Sequence, residues 1–306
     1  MRFPDNVRTV NRPTPGQSRQ VQWVCRVAWI SDVGDRLEPF AGIGFVGYRE
    51  SMSESDQQPS PDAASAAARR VISLIDLTDL ADDHRADGID RLLEQALEHQ
   101  TAAVCVWPEF VGQAAAHLGW SDVRVATVAD FPGGRGQLPD VVAEVRRSLV
   151  AGADEIDLVL NYRELLAGRP ERVGEPIETV AEIVHAAGAH LKVILETGEL
   201  GDRQTIVDAA RIAVASGADF IKTSTGKTSN GASLDAVDAM LDVIAETDRV
   251  IGLKPSGGIS TVVDALEYID LVESRLGVER TRADVLRFGA SSLLADALRI
   301  LESTDD

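Results

Sequence analysis

A chain of 306 residues with 44% apolar and 26% charged side chains can build a large buried core, and it is neither collagenous nor wholly disordered. Its length fits two domains, or one α/β barrel of roughly 250 residues with a tail. A formal charge of −19 repels phosphate backbones and anionic lipid, which argues against nucleic-acid and membrane partners.

The N-terminal part differs in kind from the rest. Residues 1–70 carry nine basic and eight acidic side chains, whereas residues 71–306 carry 21 basic and 41 acidic. Six of the 12 prolines fall in the first part, and Ser51 to Ala68 reads as a polar linker followed by small residues. Residues 1–70 are therefore expected to be a poorly ordered N-terminal extension, or a small accessory element built around Trp23 and Trp29. No secretory pattern stands out, because the apolar stretch Val21 to Ile30 is interrupted by Arg26. Cys25 and Cys105 make neither a metal-ligand pair nor a disulfide framework, which points to a reducing, cytoplasmic compartment.

From Val71 onward, short β-branched apolar runs begin near positions 71, 102, 123, 155, 191, 219, 250 and 285. Helical patterns lie between them, such as Leu92, Leu93, Ala96 and Leu97, with apolar groups on one face. The spacing of about thirty residues is what a strand, a helix and two loops require. Eight such units predict a (β/α)8 TIM barrel over residues 71–306, preceded by the extension.

In such a barrel, reactive groups project from the C-terminal strand ends. Only four of the 30 basic residues are lysines: Lys192, Lys222, Lys227 and Lys254. Lys222 and Lys254 close their apolar runs, at the expected top of the barrel. Lys227 follows in a loop, and Lys192 opens its run and reads as a solvated or structural charge. Asp157 and Asp76 lie inside apolar runs, so each needs a partner, and Lys222 and Lys254 would supply one for Asp157. Two ammonium groups about 5 Å apart at an effective dielectric near 20 repel by about 3.3 kcal/mol. Burial pushes the same way, so one lysine can become a free amine able to attack a carbonyl. Asp157 opposes that shift and is better suited to proton transfer through water. Small-residue turns at Thr225-Gly226-Lys227, Pro255-Ser256-Gly257-Gly258 and Gly289-Ala290-Ser291-Ser292 suit a phosphate, whose usual place in this fold is after strands seven and eight.

These segments resemble the deoxyribose-phosphate aldolase family. The resemblance runs through SLIDLTDL (73–80), VCVWPEFV (104–111), VATVADFPGG (125–134), GADEIDLVLNY (152–162), LKVILETGEL (191–200), GADFIKTSTGK (217–227), GLKPSGGIS (252–260) and RFGASSLL (287–294). It covers residues 71–301 and nothing before. It implies a Schiff-base lysine at Lys222, electrostatic perturbation of that lysine by Lys254, and proton relay by Asp157. It places Asp76 and Thr78 at the substrate hydroxyls, and Gly226, Lys227, Gly257, Gly258, Gly289, Ser291 and Ser292 at the phosphate. The implied reaction is reversible cleavage of 2-deoxy-D-ribose 5-phosphate into D-glyceraldehyde 3-phosphate and acetaldehyde. It needs no cofactor and no metal, and the five histidines show no metal-ligand spacing.

Two positions depart from the family pattern, each by lacking an arginine: Glu109 in WPEF and Ser260 in the turn after Gly258. The second is expected to weaken phosphate affinity. Cys105 reads as a buried structural thiol. The implied partners are a phosphorylated sugar and aldehydes, in a chain compatible with a homo-oligomer. Two alternatives stay open: a related Schiff-base aldolase with another aldehyde preference, and a non-catalytic sugar-phosphate-binding barrel.

Overall fold

The structure is a computed structural model that describes residues 60–83 and 86–304. Most of the expected N-terminal extension lies outside the described residues. Helix α1 (Pro61–Ile72) begins where the Ser60 hydroxyl accepts from the Ala63 N–H at 3.3 Å, with proline in its first turn. The alanine-rich stretch after Pro61 favours helix, and its far end buries Ala68, Val71 and Ile72. The apolar run expected to open the first strand near residue 71 is therefore the end of a helix. The boundary drawn at residue 70 falls inside α1, and β1 (Ile75–Asp79) starts only after it.

The remaining elements alternate as the spacing predicts. They are α2 (Ala86–His99), β2 (Ala103–Val106), α3 (Val111–Leu118), β3 (Arg124–Ala129), α4 (Leu138–Ala151), β4 (Glu155–Val159), α5 (Tyr162–Leu166) and α6 (Glu171–Ala186). After these come β5 (His190–Ile194), α7 (Thr197–Leu200), α8 (Arg203–Ala215), β6 (Phe220–Lys222), α9 (Leu234–Glu246), β7 (Gly252–Lys254), α10 (Val262–Leu276), β8 (Phe288–Ala290) and α11 (Leu293–Thr304). Among the described residues, no helix is long and apolar enough to cross a membrane.

Among the described residues all strands are parallel, in the order β7-β6-β5-β4-β3-β2-β1-β8. The two edges meet: the Leu253 N–H donates to Val285 O (2.9 Å), Arg287 N–H to Leu253 O (3.0 Å) and Gly289 N–H to Pro255 O (3.0 Å). The sheet thereby closes into a (β/α)8 barrel, which leaves no free edge. One face of each strand packs on the helices, where Ile156, Leu158, Leu191, Val193, Ile221 and Leu253 join one continuous core. The other face points into the barrel, and by the two-residue period it carries Glu155 and Asp157 on β4, Lys192 on β5, and Phe220 and Lys222 on β6.

Register stacks these groups. Asp157 pairs with Lys192 across β4 and β5, Lys222 with Lys254 across β6 and β7, and Phe220 with Gly252 one step below. A Cβ on Gly252 would lie 2.2 Å from the Phe220 ring, so only glycine lets that aromatic floor form beneath the lysines. Gly252→Ala is accordingly expected to cost about 1–3 kcal/mol by overpacking. A thermal unfolding midpoint unchanged from wild type would show that the ring relocates freely.

Candidate active site

The barrel interior holds seven charged side chains from six strand positions and one flanking loop, all almost completely shielded from solvent: Asp76, Glu155, Asp157, Lys192, Lys222, Lys254 and Arg287. Asp157 is the hub. Its Oδ1 accepts from Lys192 Nζ at 2.7 Å, and its Oδ2 accepts from both Lys222 Nζ at 2.9 Å and Lys254 Nζ at 2.7 Å. Lys254 Nζ also lies 2.5 Å from Asp76 Oδ2, and Lys192 Nζ lies 2.5 Å from Glu155 Oε2. Arg287 closes the lower side, with Nη1 2.8 Å from Asp76 Oδ1 and Nη2 3.1 Å from Glu155 Oε1. Its guanidinium sits 5.8 Å from the centre of the Phe220 ring.

Four basic and three acidic groups cannot all be ionised here without leaving one uncompensated positive charge in an interior shielded from bulk solvent. The geometry says which proton is cheapest to lose. Lys192 faces three carboxylates and Lys254 two, whereas Lys222 has a single carboxylate oxygen, which it shares with Lys254. Burial pushes the Lys222 ammonium down; Asp157 opposes this, the Lys254 charge adds to it, and the net position is below the ordinary lysine range. Burial pushes Lys254 down too, but Asp157 and Asp76 more than reverse it and hold the group protonated. Lys192 is likewise raised against its burial by Asp157 and Glu155. Burial pushes the Asp157 carboxyl up, yet Lys192, Lys222 and Lys254 together keep it well below the usual carboxylate range. The lysine whose ammonium is pushed down thus stands at the end of β6, beside a carboxylate and an ammonium that are each held in their charged form.

A second glycine makes the arrangement possible. A Cβ on Gly289 would lie 2.5 Å from Ser256 Oγ and 3.1 Å from Lys254 Cε, so the bare backbone of β8 is the space through which Lys254 reaches its carboxylates. The Gly289 N–H is already given to Pro255 O, so this glycine has no amide left for a phosphate. Its expected place in the phosphate set therefore rests on space alone. Thr78 lies half-buried, and its hydroxyl donates to the Asp76 carbonyl oxygen at 2.7 Å. Asp76 points into the ion network, held by Lys254 and Arg287.

The other expected phosphate groups gather at the barrel mouth. Gly226 and Gly257 adopt positive φ values, and a Cβ on Gly257 would lie 3.6 Å from the Gly226 Cα, so the loops after β6 and β7 touch. Ser291 and Ser292 are exposed at the N-terminus of α11, where free N–H groups favour an anion. Gly258 is also exposed. Lys227 reaches across the mouth to Asp82 in the loop after β1, at 2.7 Å, with its ammonium 5.9 Å from the Trp107 ring centre. Ser260 is exposed, and its N–H donates to Asp264 Oδ2.

Three members of the network fall outside the expected set. Lys192 is not solvated: it is fully buried, because its side chain points inward from the third residue of β5. Glu155 sits two residues before Asp157, and the strand period alone puts both on one face. Arg287 immediately precedes β8 and has no local signal, since its neighbours are supplied by β1 and β4. Cys105 is buried in β2 as expected, and burial pushes its thiol up, away from the reactive thiolate.

A closed barrel with a buried lysine at the end of its sixth strand, its ammonium pushed below the ordinary lysine range, is compatible with an aldolase that works through an amine. The sequence profile described as DeoC/LacD family aldolase matches residues 70–298, and the chain belongs to that family. A deoxyribose-phosphate aldolase from Agrobacterium fabrum is 46% identical over 238 residues, spanning 77% of this chain and 92% of that protein. A Coccidioides immitis structure provisionally assigned as a deoxyribose-phosphate aldolase is 32% identical, with a TM-score of 0.67 over 78% of this chain and 87% of that one. The deoxyribose phosphate aldolase of Aeropyrum pernix, described as having a unique tetrameric structure, is 25% identical, with a TM-score of 0.64 over 81% of this chain and 99% of that one.

Lys192→Met should leave Glu155 and Asp157 short of a cation and lower stability by about 3–5 kcal/mol. Urea unfolding of the two proteins measures this, and a loss under about 1 kcal/mol would show that Lys254 and Arg287 compensate.

Proposed function

We propose that this chain is a deoxyribose-phosphate aldolase that cleaves 2-deoxy-D-ribose 5-phosphate reversibly to D-glyceraldehyde 3-phosphate and acetaldehyde. The observation that carries the reading is the Lys222 amine, buried at a strand end and pushed toward its neutral form between Asp157 and Lys254. The 46% identity to the Agrobacterium fabrum enzyme supports the same substrate.

In this reading the neutral Lys222 Nζ attacks C1 of the open-chain sugar, and loss of water from the carbinolamine gives an iminium. The 3-hydroxyl then gives up its proton, the C2–C3 bond breaks, and its electron pair flows into the iminium to leave an enamine. Glyceraldehyde 3-phosphate departs. Protonation of the enamine carbon and addition of water release acetaldehyde and restore the amine. Asp157, fixed as a carboxylate, accepts and passes protons through water, while Lys254 keeps an ammonium beside the reacting nitrogen. Asp76 and Thr78 take the substrate hydroxyl side. The phosphate lies against Gly226, Lys227, Gly257, Gly258, Ser291 and Ser292, above the space that Gly289 opens, and the incoming anion takes Lys227 from Asp82.

The catalytic unit in this reading is the barrel, residues 71–306, with α1 along its edge. In this reading it works in the cytoplasm, supported by the lack of any disulfide framework in the sequence. Assembly with further copies of the chain rests on the tetrameric Aeropyrum pernix relative.

Reduction with borohydride in the presence of acetaldehyde should fix a two-carbon adduct on Lys222, located by peptide mass spectrometry. Failure to label Lys222 would sink the mechanism, and labelling without cleavage of the phosphorylated sugar would move the reading to an aldolase of different aldehyde preference. The pH dependence has a definite sign. The attacking species is the free amine, so kcat/KM rises as pH climbs through the lowered Lys222 value, and the Lys254 charge is part of what lowers it. Lys254→Met removes a repulsion of about 3 kcal/mol at about 5 Å, so the acid limb should move to higher pH and activity near neutrality should fall about a hundredfold. A fall in rate with the limb unmoved would show that Lys254 does not act through charge.

A further inference from the structure

Glu196 lies two residues beyond β5 and immediately before α7, in the ETGEL segment, and is not among the site residues described so far. It is fully buried and takes a left-handed backbone conformation, φ +56°, which an L side chain adopts only under constraint. The chain is stapled to β6 on both sides of it: Leu195 N–H donates to Lys222 O and Thr197 N–H to Thr223 O, each at 2.9 Å. Among the described residues, no basic side chain forms an ion pair with its carboxylate. A buried carboxylate without a cation is retained only where strong donors replace water.

Every one of those donors comes from residues 225–228. The Thr225 N–H donates to Oε1 at 3.2 Å and the Thr225 hydroxyl to Oε2 at 2.5 Å, while the Thr228 hydroxyl divides its proton between Oε1 and the Asn230 carbonyl oxygen, each at 3.3 Å. The Thr225 oxygen in turn accepts from the Lys227 N–H at 3.1 Å. A hydrogen-bond chain thus runs from Glu196 through Thr225 to the backbone of Lys227, with Gly226 spanned between. Two adjacent positions in that span are the ones assigned to the phosphate.

We propose that Glu196 is a positioning residue for the phosphate end of the substrate: it sets the loop carrying Gly226 and Lys227 and takes no part in the Lys222 chemistry. The inference rests on the aldolase reading above. A carboxylate suits the task because it offers only acceptors to three converging donors, where an amide would turn an NH2 toward one of them.

Glu196→Gln keeps the size of the side chain and loses one acceptor. It should raise KM for 2-deoxyribose 5-phosphate about ten- to a hundredfold, with kcat close to wild type. The inhibition constant for inorganic phosphate should rise by the same factor, while borohydride trapping of acetaldehyde on Lys222 keeps its rate. Thr225→Val, which breaks the same chain from the other side, should raise KM similarly, and the double variant should be no worse than either single one. An unchanged KM in Thr225→Val, or a fall in trapping rate equal to the loss in kcat/KM, would overturn the proposal; Thr225→Val decides alone if Glu196→Gln does not fold. A wild-type protein that fails to cleave 2-deoxyribose 5-phosphate would remove the aldolase reading and this inference with it. Wild-type cleavage with both variants keeping their KM would remove the inference alone.

Discussion

The rest of the structure depends on a charge-balance constraint. Ions buried inside a barrel must largely neutralise one another, because they are withdrawn from bulk solvent. Asp157 is the point through which this happens, with one oxygen given to Lys192 and the other divided between Lys222 and Lys254. Sharing makes the three lysines unequal. Lys192 and Lys254 each draw on further carboxylates, from Glu155 and Asp76, and Lys222 is left with half of one oxygen. The same arithmetic gives Arg287 its place: without it, Asp76 and Glu155 would compete with Asp157 for the lysines. Phe220 and Gly252 form the floor under this network, and Gly289 opens its side.

In the proposed reading, reaction chemistry and substrate anchoring occupy different levels of the barrel. The amine and its partners lie among strand residues whose positions are fixed by ladder hydrogen bonds on both sides. Apart from Gly289 in β8, the expected phosphate groups lie in loops or at a helix start, outside the strand ladder. Touching glycines in the loops after β6 and β7, and the donors that converge on Glu196, supply the rigidity that the sheet does not. Lys227 is the exception, tied by Asp82 and the Trp107 ring to the far side of the mouth.

Much of this was readable in the sequence. Apolar runs at a regular interval point to a parallel barrel, since strands covered by helices on one face and enclosed by the barrel on the other are largely apolar. Lys222, Lys254 and Asp157 stood out because a charge within such a run demands a partner. The first run misled, because Val71 and Ile72 are as apolar at the end of a helix as in a strand, and the alanines before them were the stronger signal. Of the two readings open for Lys192, a solvated or a structural charge, the second holds, because its position in β5 aims it inward across from Asp157. Glu155 was legible by period, two residues before Asp157, whereas Arg287 and Glu196 acquire their roles only from groups more than 25 residues away, with Arg287 meeting Asp76 at a separation of 211 and Glu196 meeting Thr225 at 29.

The scarcity of lysine has a consequence for an enzyme that handles aldehydes. Reactive carbonyl compounds attach to any neutral surface amine they meet, and a conventional lysine-rich surface would offer them many. This chain has four lysines in all; three are sealed in the barrel, and Lys227 is held by a carboxylate at the mouth. Arginine carries the positive charge elsewhere. In the proposed reaction, acetaldehyde leaving Lys222 therefore meets a protein surface almost bare of side-chain amines, and adventitious adducts on the enzyme itself are confined to very few positions.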